Sequence, residues 1–576
     1  MAGARTGIGI GALLGLIWLL FFWDLGTLPF YSVGEPREAL QVVEEFDHGD
    51  WILPLRNGSE LPSKPPLFHW LGGLAALGAG RVDELVVRLP SAVLAAATVL
   101  AVVWFGWRRW DAAAGLAAGF ILATTPDFIR FAREARVDMT LAACMTAAWM
   151  LFERAVASPL PPPLPLWGFY LFMGLATLAK GPVGIAVPVL AAAAYLTVRG
   201  ELRRWRDLRV VRGLAVAVAI PALWYLSAIG VGGMPFVRKQ IVRENIIQFL
   251  GTGRVNSSEW HPVYYYAQAL LGGFAPWSLF LVPLAIHLLQ IRRRPERRLY
   301  DLPLLWSAVV IGFYTVAASK RSPYILAAYP GLAVALGAWW SQLQRTPGGL
   351  GAAVRWPLRT AVGAVAGAAV LVIVLLLAHA LGLAPLEWMR PLLHRKDQMN
   401  LPIVHDALVG AWPAALAWAA GLAVAAALLI VGARRMRWGL VFAALVLLVA
   451  ATGAAVNHAF APRLARDRTY KPFVAAALRD AGSSDRLFFY ATFDYGAVFY
   501  ARRHIPVLAA LPPDSAAWLL VTEPAYATLP DEERTRMSVV ERSEGTGPEG
   551  RERYLLVRVG ERSSAMSDQR PATTAR

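Results

Sequence analysis

The chain has 576 residues, 57% of them hydrophobic and 16% charged, with a mean hydropathy of +0.47 and a formal net charge of +17. That composition is too apolar for a soluble protein, and its long apolar runs read as a polytopic α-helical membrane protein. Nucleic acid is excluded as a partner because the arginines cluster in short loops between apolar runs; the one cysteine, Cys144, excludes a disulfide framework or a thiol metal site.

Residues 7–23 form an apolar run behind Arg5, and Trp23-Asp24-Leu25-Gly26 offers no small-residue cleavage site, so an uncleaved first helix is expected. A spanning helix needs about 17–25 apolar residues. That rule gives about 13 candidates, near 7–23, 88–107, 112–127, 139–155, 165–179, 182–198, 211–230, 265–290, 302–318, 322–341, 359–382, 412–433 and 437–456. The run 66–80 is short and rich in Gly and Ala, and reads as interfacial or re-entrant. With it omitted, the loops holding Arg108 and Arg109, Arg154, Arg199 to Arg212, Arg292 to Arg298, Arg345 and Arg355, and Arg434 to Arg437 all fall on the N-terminal side. This positive-inside pattern predicts a cytoplasmic N-terminus and a multi-pass membrane protein.

The outer, periplasmic face then receives residues 24–87, 128–138, the turn at Lys180, 231–264, 319–321, 383–411 and the tail. In the tail, strand-length apolar runs (487–492, 518–521, 554–559) alternate with helix-like stretches, which predicts a small C-terminal α/β periplasmic domain. The chain is expected to divide into 1–345, a membrane domain whose outer loop 24–87 carries the candidate chemistry; 346–460, further transmembrane helices; 461–561, where composition changes, the periplasmic domain; and 562–576, a disordered tail.

The polar insert at 31–70 holds Glu35 and Arg37, a helical stretch from Glu38 to Asp47, and Lys64-Pro65-Pro66, whose prolines fix the backbone beside the lysine. In the second outer loop Arg130, Arg133, Arg136 and Asp138 stand at the mouth of a helix. Asp138 reads either as a helix cap or as a functional acid, since carboxylates at membrane depth are costly. Lys180 sits between two apolar runs with almost no loop; it either snorkels or joins Lys64 and Arg37 in a clamp on a phosphate leaving group. Tyr264 to Tyr266 read as an interfacial belt, while Arg243, Glu244, Asn245 and His261 are candidates to line a cavity. Lys320 and Arg321 read as flank charges beside Tyr324.

YSVGEPREAL, DHGDWILPLRNG, SKPPLFHW, AREARVDMTL, TLAKGPV, ENIIQFL, WHPVYYY, PWSLFLVP and SKRSPYILAAYPGLA fall in the order and spacing of a known family. Over roughly 7–345 the chain resembles the phospholipid-carrier-dependent glycosyltransferases, which include the lipid A aminoarabinose transferases and, more distantly, the protein O-mannosyltransferases. The resemblance implies a GT-C fold and transfer of a sugar from a polyprenyl (undecaprenyl) phosphate donor to lipid A, another glycan or a protein. It implies Glu35 and Asp138 as catalytic acids, and Arg37, Lys64, Lys180 and Tyr324 as donor-phosphate contacts. Three departures stand out. Gly34 occupies the place of an expected aspartate, so Glu35 would stand in for it. Ser63 replaces a glutamate that can bind metal, so no metal is expected there. Gln248 replaces a common arginine. No cofactor follows from the motifs, and a divalent cation stays compatible with them.

Sugar transfer passes through an oxocarbenium-like state, which calls for positive charge on the departing phosphate and an acid near the anomeric carbon or the acceptor. An inverting glycosyltransferase follows. The alternatives are a transporter or flippase for lipid-linked sugars, against which no internal repeat is found, and a family member that binds the carrier without turnover.

Overall fold

The computed structural model describes residues 2–251, 261–345, 351–383, 385–393, 398, 400–482, 486–511, 517–548 and 552–560. The disorder expected for 562–576 lies outside the described residues. The apolar segments all fold as helices, beginning with α1 (Ala2–Ile17), α2 (Gly34–Asp47), α3 (Leu67–Ala79), α4 (Glu84–Arg109) and α5 (Ala112–Ala123). They continue with α6 (Pro126–Arg133), α7 (Val137–Val156), α8 (Pro163–Lys180), α9 (Val183–Arg199) and α10 (Val210–Phe236). Among the described residues six helices are long and apolar enough to cross a membrane, or eight if two bent pairs each form one span. One pair is α5 with α6, bent by 65°, where Pro126 opens the second helix and cannot continue the first. The run 66–80 becomes α3, whose 13 residues extend about 20 Å, short of a hydrocarbon core of about 30 Å.

The C-terminal part contains a five-stranded sheet of β1 (Leu487–Tyr490), β2 (Val507–Leu508), β3 (Ala517–Thr522), β4 (Met537–Arg542) and β5 (Tyr554–Val559), in the order β2-β1-β3-β5-β4. β1 lies parallel to β2 and β3, and β5 antiparallel to β3 and β4. This unit is not separate from the outer loop. Phe30, Leu40, Val43 and Phe68 of the first loop share one core with Phe473, Phe499 and Leu556 of the tail. Phe30 packs on Phe499 at 4.9 Å between ring centres, its N–H donates to the Tyr500 hydroxyl at 2.8 Å, and burying such a ring contributes about 1.5–3 kcal/mol. The division at residue 461 suggested by composition therefore cuts across a shared core.

Candidate active site

α7 and α8 pack antiparallel, so the first turn of one meets the last turn of the other. Asp138 lies in the first turn of α7, where the helix dipole favours an anion, and Lys180 ends α8, where it favours a cation. Their side chains form a short salt bridge, Lys180 Nζ donating to Asp138 Oδ1. The cap of α7 is Arg136, with no side-chain capping bond, so Asp138 is not the cap. Gly181, at φ +87°, turns the chain directly after Lys180, and a Cβ there would lie 2.6 Å from Asn245 Oδ1. Only glycine accommodates both the backbone conformation and that approach.

Lys180 also stands 4.0 Å from the centre of the Tyr324 ring, a cation–π contact. Lys64 donates to Glu244 Oε2 at 3.0 Å. Lys64, Lys180, Glu244, Asn245, Gln248 and Tyr324 line a cavity of about 420 Å³ whose other walls include Val183, Phe249, Phe313 and Tyr314. Asp138 is buried behind this lining, and both lysines are close enough for their charges to act on it. The arrangement offers two ammonium groups to an anion and aliphatic and aromatic walls to what the anion is attached to.

Glu35 is neither paired with Lys180 nor among the residues that line the cavity. Its carboxylate is buried and accepts from Arg88 Nε at 2.7 Å, Arg88 Nη2 at 3.2 Å, the Ala135 N–H at 3.2 Å and the Ser32 hydroxyl at 3.4 Å. Arg88 spends its remaining donors on the Leu25, Leu28 and Pro29 carbonyls. Glu35 is thus an anchor that ties the loop to α4, and the role of stand-in acid does not fit its geometry. The space of the expected aspartate is taken instead by Arg136: a Cβ on Gly34 would lie 2.4 Å from Arg136 Nη2. Two arginines complete these surroundings: Arg136, which the sequence places at the mouth of a helix and whose charge also acts on Asp138, and Arg88, a lone arginine in the apolar run Leu85-Val86-Val87-Arg88-Leu89 that the motifs did not single out. An arginine in such a run was the available signal for the second.

Arg37 is held by Glu38, donating from Nε at 3.1 Å and Nη2 at 2.8 Å, so of the three cations expected to converge only Lys64 and Lys180 line the cavity. Burial opposes the charge on Glu38, but Arg37 and a 2.8 Å hydrogen bond with buried His69 outweigh it and hold the carboxyl well below its usual range. Of the other cavity candidates Glu244 is in place. Arg243 is exposed and His261 stacks on Tyr265, 4.2 Å between ring centres; neither is among the cavity's lining residues. Lys320 is not a flank charge: it is buried and donates to the Ala317 carbonyl at 2.9 Å. At Ser63 the side chain is a buried hydroxyl rather than a carboxylate, a donor that does not suit a resident metal beside Lys64.

A second cavity, of about 860 Å³, has walls of Val365, Ala369, Leu422, Leu448 and similar residues, with Tyr31, Arg130, Arg133 and Glu134 among its polar lining. The segment that carries Arg130, Arg133 and Glu134 runs straight on into Asp138.

Residues 63–225 match the family model described as dolichyl-phosphate-mannose-protein mannosyltransferase. The chain is 28% identical over 340 residues to an undecaprenyl phosphate-alpha-4-amino-4-deoxy-L-arabinose arabinosyl transferase of Pectobacterium carotovorum, covering 58% of this chain and 59% of that protein. A protein of the same name from Enterobacter sp. is 26% identical over 348 residues, covering 58% and 60%. The chain spans about three fifths of the length of these curated relatives. Over nearly the whole length its fold follows the ArnT crystal structures from Cupriavidus metallidurans. The apo form gives a TM-score of 0.74 at 20% identity, covering 96% of this chain and 98% of that one. The form bound to undecaprenyl phosphate gives 0.73 at 20% identity, covering 95% and 97%. In fold the chain is thus similar to the ArnT crystal structures, and in sequence over more than half its length it resembles the undecaprenyl phosphate aminoarabinose transferases.

Proposed function

We propose that the protein transfers a sugar from a polyprenyl-phosphate donor, undecaprenyl phosphate as carrier, to lipid A or another acceptor at the periplasmic face of the inner membrane. The observation that carries this reading is the pairing of Lys64 and Lys180 on one wall of a cavity with otherwise largely apolar sides, with Asp138 directly behind Lys180. A lipid phosphate replaces Glu244 as the partner of Lys64 and Asp138 as the partner of Lys180. The two ammonium groups then stabilise charge on the departing phosphate, which is where electrostatic stabilisation lowers the barrier most. Once Lys180 has turned to the phosphate, Asp138 is released to face the anomeric carbon or the acceptor, and attack from the opposite side inverts the sugar. Tyr324 keeps Lys180 over the cavity.

The acceptor enters from the larger cavity, whose aliphatic walls suit acyl chains and whose Arg130 and Arg133 suit an anionic headgroup. An acceptor phosphate needs no strong base, which fits a chain with Gly34 where the first aspartate is expected. In this reading thirteen spans and a cytoplasmic N-terminus put 24–87 and the C-terminal sheet on the same, outer side, which agrees with the core that the two share.

Mass spectrometry of lipid A and envelope glycans from cells with the protein, without it, and with Asp138→Asn tests the reading. Loss of one sugar in the second and third strains is expected. Unchanged lipid A with a sugar missing elsewhere moves the acceptor, and unchanged glycans throughout overturn sugar transfer.

A further inference from the structure

Away from the cavity, the first outer loop and the C-terminal part meet around one carboxylate. Glu44 lies in the last turn of α2, buried, and His48 follows four residues later at the helix end, so both project from one face. His504 comes from the segment between the helix Tyr495–Ala501 and β2. Glu44 Oε1 is 2.8 Å from His504 Nε2, and Glu44 Oε2 is 3.0 Å from His48 Nδ1. The three ligand atoms all lie within 4.8 Å of one another, and among the described residues this is the one group of three histidine and carboxylate donors so assembled.

The surroundings fix these donors. Arg56 and Glu60 pair backbone to backbone at 2.9 Å in both directions, closing a tight loop that presents Asn57 and Gly58 to the tail. The Asn57 amide donates to the Ile505 carbonyl at 2.8 Å and accepts from the Ile505 N–H at 2.8 Å, which pins the backbone next to His504. Gly58, at φ +70°, leaves room for the ring: a Cβ there would lie 2.7 Å from His504 Nδ1. The ring is therefore held with Nε2 toward Glu44. Arg502, 3.5 Å from Asp47, adds a second link between the same two segments. Support of this kind, which orients ligand rings, typically accompanies a working metal site.

We propose that Glu44, His48 and His504 form a binding site for a zinc-class divalent metal, which staples the C-terminal part to α2. Two imidazole nitrogens and one carboxylate oxygen make the donor set of an open tetrahedral zinc site. The partial exposure of His48 and His504 leaves water to complete the coordination. On binding, the ion takes the place of the two contacts that Glu44 now makes, and protons leave the imidazole nitrogens that become ligands. The site uses none of the residues that line the cavity and stands apart from the sugar-transfer reading.

Titration of the purified, EDTA-treated full-length protein with zinc, followed by elemental analysis after gel filtration, tests this, with cobalt as a spectroscopic probe. One zinc per chain is expected, together with a rise in melting temperature and the visible absorption of tetrahedral cobalt. His48→Ala and His504→Ala, each shown folded by circular dichroism, should each weaken binding by at least about 10-fold and remove the cobalt band. Should His504→Ala unfold, His48→Gln at the exposed helix end serves in its place. Absence of stoichiometric zinc, or equal binding by the double variant, overturns the site.

Discussion

Glu35 and Asp138 are both acids at the start of a helix, and the two regions around them surround the same chemical group in opposite ways. Around Glu35 every lone pair is committed: Arg88, a backbone N–H and a serine hydroxyl enclose it, and the carboxylate holds the loop to α4. Around Asp138 the main partner is a lysine that also faces a cavity, so the pair is open to exchange with an anion. A buried carboxylate fully matched by an arginine is a structural part; one matched by a single cavity lysine is available for chemistry.

The contrast breaks most visibly through activity. Asp138→Asn should lower kcat by about 10²- to 10⁴-fold, the range for loss of a positioned acid or base, with the fold retained on circular dichroism. Glu35→Gln should instead leave kcat near wild type in the folded fraction. On the Glu35 side the damage is to stability: Arg88→Met strands a buried carboxylate and should cost about 3–5 kcal/mol in denaturant unfolding. If Arg88→Met melted like wild type and Glu35→Gln abolished turnover, the roles assigned to the two regions would be reversed.

Restoring the expected aspartate sharpens the comparison. Gly34→Asp brings a carboxylate against the Arg136 guanidinium, the movable end of a long side chain, so the arginine should shift and pair with it rather than clash. A double-mutant cycle with Arg136→Ser should show a favourable coupling of about 0.5–2 kcal/mol between the two positions. A pH-dependent effect concerns Glu45, whose two oxygens are buried beside Gly73 and Trp51. Burial pushes its carboxyl up to about 9, so the folded state keeps a proton that the unfolded chain releases near pH 4.3. Unfolding free energy should therefore fall as pH rises through that window, by roughly 1 kcal/mol per pH unit. Glu45→Gln should flatten the dependence, read as melting temperature against pH.

Much of this was legible in the chain itself. Apolar runs gave the helices, and Asp138 and Lys180 sit at the adjoining ends of two antiparallel helices, so their meeting follows from order and length alone. The partner of Glu35 was not legible, because it lies 53 residues away in an apolar run. Nor was the meaning of Gly34, which depends on where the Arg136 side chain goes. The union of loop and tail was hidden because Phe30 and Phe499, or Glu44 and His504, are brought together only by folding. β4 was missed because its residues are mostly exposed at the sheet edge and show no apolar run.

The most direct measurement is the affinity of the purified protein for undecaprenyl phosphate, compared among wild type, Lys64→Ala, Lys180→Ala and Arg37→Ala. Both lysine variants should bind at least about 10-fold more weakly, the loss of one charge-assisted contact, and Arg37→Ala, whose guanidinium is already held by Glu38, should lose less. Wild-type affinity in Lys180→Ala would contradict the assignment of this cavity to the lipid phosphate.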